Sequence, residues 1–202
     1  MKFELLSETK NYNGTILYRI QALEDFNDVK IGDLGGWVQH ENNLSSVGNC
    51  WIYDDAIVMQ NAEIHNDAYV ADNAIITEWA RIQDSAKVFG NAFLTDEAYI
   101  THNAEICGDS IIRDYAGVHD NAKISGNALI IGRSSVTDNA KVYDHAIIMD
   151  DASVTDNAEV FGSSIIMGNS IIENQAIIDS CTILNSAKNE GYFHKIKLLR
   201  DI

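Results

Sequence analysis

The 202-residue chain contains no proline. That excludes Pro-rich linkers and fits a long run of hydrogen-bonded strand, where proline has no place. Cysteine is scarce: Cys50, Cys107 and Cys181 are too few and too scattered for a disulfide framework, and their spacing is not that of a zinc site. Basic residues are few, 14 Lys and Arg against 30 Asp and Glu, for a net charge of −16. Such a surface repels nucleic acid and anionic membrane. It suits solubility, a basic partner or mimicry of a polyanion. No apolar run approaches the ~18 residues of a membrane helix. The opening MKFELLSETK lacks the apolar stretch of a signal peptide. No P-loop or dinucleotide fingerprint is present. These absences together place the chain in the cytoplasm as an expectation.

What is present is a repeat. Small residues stand every six positions, from Cys50 through Ala56, Ala62, Ala68 and Ala74 to Ala176 and Thr182, with Ser110, Ser134, Ser164 and Ser170 substituting for alanine. Two residues after each comes a branched aliphatic, as at Ile64, Val70, Val88, Ile106, Val118, Val136, Val154 and Ile172. Gly, Asp or Asn precede it, as in Gly90-Asn91, Asp120-Asn121 and Asp156-Asn157, so the unit reads (Gly/Asp)-Asn-Ala-x-Val-x. A helix of period 3.6 cannot hold a six-residue repeat on one face. A short strand and a tight corner can: the small and the aliphatic residue alternate inward, and the corner residues tolerate left-handed backbone angles. Three hexads close a triangular coil, and roughly seven to eight 18-residue coils are expected. The fold class is all-β, a single-stranded parallel β-helix over 48–185. A cap over 1–47 precedes it, and a tail or cap over 186–202 follows.

The repeat resembles the hexapeptide-repeat family, in which an aliphatic residue is followed four positions later by a small one. The resemblance covers roughly residues 48–185 and implies a left-handed β-helix. The N-terminal string Gly32-Asp33-Leu34-Gly35-Gly36-Trp37-Val38, followed by Asn43-Leu44-Ser45, is similar to proteins of bacterial prophages. Those share this cap and repeats of the form GNAxV, and are commonly labelled hexapeptide transferases on the repeat alone. Fold does not fix function. In the cap, Lys2–Leu6 and Ile16–Ile20 read as strands around the turn Asn11-Tyr12-Asn13-Gly14. The tail from Gly191 to Ile202 carries Lys195, Lys197 and Arg200, close to Lys188. It is expected to cap the far end or to lie back on the prism.

Sorting outward residues by coil separates three faces. Face A carries the apolar column Ile57, Ile75, Phe93, Ile111, Leu129, Ile147, Ile165 and Ile183, with Met59, Ile131, Met149 and Met167 beside it. An exposed apolar column marks a partner surface. A second copy is the simplest partner, giving a dimer or trimer; the alternative is cover by the tail or the N-terminal segment. Face C carries the charge ladder Lys87, Glu105, Lys123, Lys141 and Glu159. Face B is small and polar, with Gly117, Ser135, Ser153, Thr101, Thr137 and Thr155. The corner entering face B loses its asparagines and shows Trp79, Glu97, Tyr115, Arg133 and Asp151. With Arg81, Tyr99 and Arg113 nearby it is the candidate recognition patch.

Enzyme chemistry is weakly signalled. Acyltransferases of the family place a catalytic histidine in a cleft between subunits, often shaped by an inserted loop, and no insertion interrupts the frame from 50 to 182. His65, His102, His119 and His145 are the candidate bases, but the sequence gives none of them a positioned partner or a pocket. Asp120, Asp138 and Asp156 stack at one corner within reach of a shared Ca²⁺, although aspartate at a solvated turn explains them as well. No catalytic, cofactor-binding or metal-binding residue is assigned, and no cofactor is expected. The leading expectation is a non-catalytic, acidic, self-associating interaction protein of phage origin, acting on a host protein. The alternative is an acyltransferase using an acyl-CoA or acyl-carrier donor.

Overall fold

The computed structural model describes residues 1–184 and the strand Tyr192–His194. The chain is a left-handed parallel β-helix. Strands of mostly two residues recur at each hexad, as at Ile57–Val58, Glu63–Ile64 and Tyr69–Val70. Each pairs in parallel with the strand 18 residues later: Ile57 with Ile75, Glu63 with Arg81, Trp51 with Tyr69. Among the described residues the strands therefore stack into three sheets of 11, 7 and 9 strands, corresponding to faces A, B and C.

The core follows from the alternation. The small and aliphatic positions, Ala56 and Val58 through Ala176 and Ile178, point into the prism with essentially no solvent exposure. Where serine replaces alanine, its hydroxyl donates to the carbonyl three residues back: Ser110 to Cys107 at 2.9 Å, Ser134 to Ile131 at 2.8 Å, Ser164 to Phe161 at 2.6 Å and Ser170 to Met167 at 2.7 Å. A buried hydroxyl is thus satisfied without leaving the ladder.

Corners turn through one left-handed residue each, with φ of +56° to +57° at Asp72, Asp84 and Asp96 and +73° at Gly90. Aspartate, asparagine and glycine tolerate that region best.

The cap is part of the same stack. Strands β1 (Phe3–Tyr12) and β2 (Thr15–Ala22) form an antiparallel hairpin turning at Asn13 and Gly14, both at positive φ. Strand β3 (Leu34–Val38) pairs antiparallel with β2 and parallel with Ile57–Val58, so it passes from hairpin to helix. The Gly-Gly of the cap string is a requirement of contact. A Cβ on Gly35 would fall 2.6 Å from the Trp51 ring, and one on Gly36 would fall 2.6 Å from the Ala56 carbonyl oxygen.

Two expectations are corrected. Ile57, expected on the exposed apolar column, is 3% exposed, because Leu17 and Trp37 of the cap lie over it. Ile183 belongs to the core at 0% exposure. The last coil is one residue short: Ile165 pairs with Thr182, 17 rather than 18 positions on. Cys181 therefore takes the small inward position that the strict period assigned to Thr182, after a corner that turns at Ser180 (φ +53°). Cysteine and threonine are both small enough for that site, so the period alone chose the wrong one. Of the tail, Tyr192–His194 adds a strand to the face C sheet beside Ile177–Asp179; the remaining tail residues lie outside the described ones. Among the described residues, no helix is long and apolar enough to cross a membrane.

Candidate functional site

The cap continues past β3 as a single 3-10 turn, Glu41–Asn43, laid against the first coils. Asn43 holds it there. Its side chain is fully buried, its amide donates to the carbonyls of Gln60 (3.0 Å) and Ala62 (2.8 Å), and its Oδ1 accepts from the backbone N–H of Gln39 (3.1 Å) and His40 (3.0 Å). Leu44 then bridges in parallel to Ile64, and Ser45 N–H donates to the Ile64 carbonyl at 2.9 Å. The segment 40–46 thereby stands beside the start of face B as a wall.

Three concavities follow one another from there: the first two lie against that wall and share Asn42 and Glu63, and the third adjoins the second at Trp79. One, of about 350 Å³, is bounded by Glu41, Asn42, Ser45, Ser46, Glu63 and His65. A second, of about 150 Å³, lies among His40, Asn42, Asn61, Glu63 and Trp79. The third, of about 300 Å³, is bounded by Trp79, Arg81, Glu97 and Tyr99. Together they make a groove from the cap to the third coil, of a size that suits a small molecule.

At its cap end, Glu63 and His65 flank the inward Ile64, His65 just past the strand Glu63–Ile64, so both project outward. His65 Nε2 lies 3.1 Å from Glu63 Oε2, and Arg81 Nε, one coil on, lies 3.6 Å from the same oxygen. An ionised carboxylate only accepts, so in the neutral ring this contact favours the tautomer with the proton on Nε2 and a lone pair on Nδ1. A histidine oriented by a carboxylate beside a concave surface has the elements of a general base. Sequence reasoning found no partner or pocket for any histidine. The structure gives His65 both, because the wall comes from the cap and not from an inserted loop. The available signal was the pair Glu63-x-His65 at the two outward positions of one strand.

The other histidines are placed differently. His119 folds back over Gly117 with its ring 5.6 Å from Tyr99. A Cβ on Gly117 would meet its Nε2 at 2.4 Å, so this placement depends on the glycine. Burial pushes its titration below the ordinary histidine range. His102 lies 3.8 Å from Asp120 at an exposed corner, and His145 is exposed. The stacked aspartates are committed to the backbone: Asp120 accepts from Asp138 N–H at 3.4 Å, Asp138 from Asp156 N–H at 3.3 Å and Asp156 from Asn174 N–H at 2.8 Å.

The candidate recognition patch divides. Trp79, Arg81, Glu97 and Tyr99 converge on the groove, with Trp79 55% and Tyr99 37% exposed. Arg113, Tyr115 and Arg133 are exposed farther along the same corner and do not line that concavity. On face A, Ile75, Phe93, Leu129, Ile147 and Ile165 are half-buried and Ile111 is exposed, with Met149 and Met167 half-buried beside them.

Comparison with known proteins adds one finding. No family model matches the chain. A stretch of 50 residues, 24% of the chain, is 50% identical to the "Uncharacterized acetyltransferase YdcK" of Escherichia coli (strain K12). The repeat type itself rests on the six-residue period and the stacked sheets, and the likeness is in keeping with it. The chain is a hexapeptide-repeat β-helix. The matched stretch spans only 15% of that relative's length.

Proposed function

We propose that this β-helix transfers an acyl group from an activated thioester donor, an acyl-CoA or acyl-carrier thioester, to an acceptor held in the groove beside the cap. The observation that carries the reading is the Glu63–His65 pair in a concave site. In the reaction, His65 Nδ1 takes the proton of the acceptor's hydroxyl or amine as its oxygen or nitrogen bonds to the acyl carbon. The carbon–sulfur bond breaks, and the thiolate leaves with the proton from the imidazolium. Glu63 keeps the ring oriented and offsets its charge, and Arg81 fixes Glu63. The likeness to a protein named an acetyltransferase supports the same chemistry.

The test is transfer of radiolabelled acetyl from acetyl-CoA to a panel of hydroxyl and amine acceptors. His65→Asn is expected to lower the rate by about 10²–10⁴-fold, the usual scale for a general base, and Glu63→Gln by less. Turnover unchanged in His65→Asn would refute the assignment.

A second reading is a non-catalytic interaction protein of prophage origin that self-associates and acts on a host protein; face A supports the self-association in it. An apolar column running from Ile75 to Ile165 extends for about 24 Å at the interstrand spacing. Its upper end already lies under the cap of the same chain, where Leu17, Trp37 and Ile57 form one cluster with Met59 and Ile75 against it. A second copy meeting the uncovered remainder would bury a surface with little charge in an otherwise acidic molecule. Self-association through face A is compatible with either reading; the presence of acyl transfer separates them.

A further inference from the structure

Face C carries a separate concavity, of about 260 Å³, bounded by Tyr69, Lys87, Phe89 and Glu105. It shares no lining residue with the groove of face B. Val88 points into the core, so Lys87 and Phe89 project outward on either side of it. Tyr69 stands opposite Lys87 on the preceding coil. In the neighbouring column of Tyr53, Ala71 and Phe89 the middle member is a methyl between two rings, which leaves a gap. Tyr69 and Phe89 are one coil (~4.8 Å) and two residues (~6.6 Å) apart, roughly 8 Å on the diagonal. That is about twice the ~3.5–4.0 Å of a van der Waals contact, the room that a planar ring needs between them. The Tyr69 wall is braced from the cap: its ring centroid lies 4.7 Å from that of Tyr53, whose hydroxyl donates to Asp28 Oδ1 at 2.8 Å.

The charge at this concavity is also unusual. Glu105, the acid next to Lys87 in the ladder, is bound to Lys123 at 2.9 Å, and Lys141 farther along is bound to Glu159 at 2.7 Å. Lys87 is exposed and makes no ion pair or hydrogen bond among the described residues. In a chain with 14 basic and 30 acidic residues, a lysine without a carboxylate beside two rings is out of keeping. The Tyr69 hydroxyl is likewise without a hydrogen bond among the described residues. Burial, and then the charges of Asp54, Asp72 and Asp28, push its titration above the ordinary tyrosine range, so it remains an O–H donor.

We propose that this concavity binds a planar aromatic monocarboxylate, with its ring between Tyr69 and Phe89 and its carboxylate on Lys87. The site lies apart from the face B groove and does not depend on acyl transfer. The ligand ring meets two aromatic side chains in offset or edge-to-face contact. One carboxylate oxygen accepts a charge-assisted hydrogen bond from the Lys87 ammonium, and the other is free to accept from the Tyr69 hydroxyl. Other ligand classes match less of this chemistry. A neutral aromatic leaves the ammonium to water. An aromatic amine sets a second cation beside Lys87. A dicarboxylate or a phosphate ester brings more negative charge than one lysine balances, in surroundings that already hold Glu105, Asp54 and Asp72. An aliphatic acid keeps the ion pair and forgoes both rings.

The probe is benzoate, titrated into the full chain and followed by two-dimensional NMR, with benzamide and benzylamine as its neutral and cationic counterparts. Benzoate is expected to shift the backbone resonances of Ala71, Lys87 and Phe89 and to leave those of Trp79 and Glu97 in place. Lys87→Met, at an exposed position, is expected to weaken benzoate about tenfold or more, the scale of one lost hydrogen bond to a charged group. Benzamide is expected to bind the wild type about as weakly as benzoate binds that variant. Phe89→Ala, with its fold verified by circular dichroism, is expected to weaken benzoate as well. Lys141→Met, on the same face but paired with Glu159, is expected to leave it unchanged. The proposal is overturned by benzoate that shifts nothing, by shifts confined to the face B groove, by equal affinity in Lys87→Met, or by benzamide or benzylamine binding as tightly as benzoate.

Discussion

Asn43 is where the fold and the candidate site meet, so its replacement tests both. In Asn43→Leu, similar in volume, the four hydrogen bonds that the side chain makes disappear. The carbonyls of Gln60 and Ala62 and the N–H groups of Gln39 and His40 lose this partner. At about 1 kcal/mol net for each hydrogen bond, the loss is about 4 kcal/mol. If the cap unfolds with the whole helix, a chain of this size loses about 2–4 °C per kcal/mol, hence roughly 10 °C in Tm. A stacked repeat need not unfold as one. The cap can open by itself, and then the loss appears as faster hydrogen exchange at Gln39, His40 and Ser45 with a smaller change in Tm. Both readouts are needed, by calorimetry and by exchange mass spectrometry. Asn43→Asp sharpens the result. It keeps the acceptor oxygen but turns a carboxylate oxygen towards two carbonyls, so it should cost as much as leucine at pH 7 and less in acid, where the carboxyl can donate. Loss below about 1 kcal/mol by both readouts would refute the claim that Asn43 holds the groove wall.

Other perturbations separate parts of the reasoning. Gly117→Val should displace the His119 ring from its seat, so its NMR titration midpoint rises towards the ordinary histidine value; an unmoved midpoint would refute burial over Gly117 as the cause of the depression. Ile111→Asp/Ile147→Asp should convert a self-associated wild type to monomer in light scattering, and a monodisperse wild-type monomer would sink self-association through face A. Asp84 and Asp138 are held below the ordinary carboxylate range, first by the hydroxyls of Thr101 and Thr155 and then by the N–H groups of His102 and Asp156. Their contribution to stability is complete above that range and is lost as pH falls through the depressed values. The urea midpoint should therefore drop below about pH 4, and by less in Asp84→Asn/Asp138→Asn.

The repeat was legible because its signal is covalent spacing: Ala62, Ala80 and Ala98 stand in phase whatever surrounds them. The same reliance on period misplaced Ile183, because losing one corner residue near Ser180 leaves small residues on both sides of the deletion. Ile57 was misplaced for a different reason. The period says which residues point outward, not what another segment lays over them, and here Leu17 and Trp37 come from the non-repeating cap. The groove escaped notice for that same reason. His65 and Trp79 were visible as outward residues, but their wall is segment 40–46, whose position depends on a buried asparagine in an irregular stretch. Long-range contacts of an irregular segment have no periodicity to read.

The acidity of the chain also takes a different meaning from the structure. Ten aspartates occupy left-handed corners: Asp54, Asp72, Asp84, Asp96, Asp114, Asp120, Asp138, Asp144, Asp150 and Asp156. Each accepts a hydrogen bond, at 2.8–3.4 Å, from the backbone N–H of the left-handed residue one coil on. That N–H faces along the helix axis at a corner, where no strand carbonyl reaches it, and a charged acceptor makes the stronger bond. One third of the 30 acidic residues are therefore accounted for by the turn. Gly90, Gly108 and Gly126 turn a corner equally well but bring no such acceptor. A net charge of −16 is then largely the consequence of building corners from aspartate, and a basic partner or a mimicked polyanion is not needed to explain it. What remains for recognition is the part of the surface where the corner pattern yields to other chemistry: Trp79 and Glu97 stand there, opposite the wall built by Asn43.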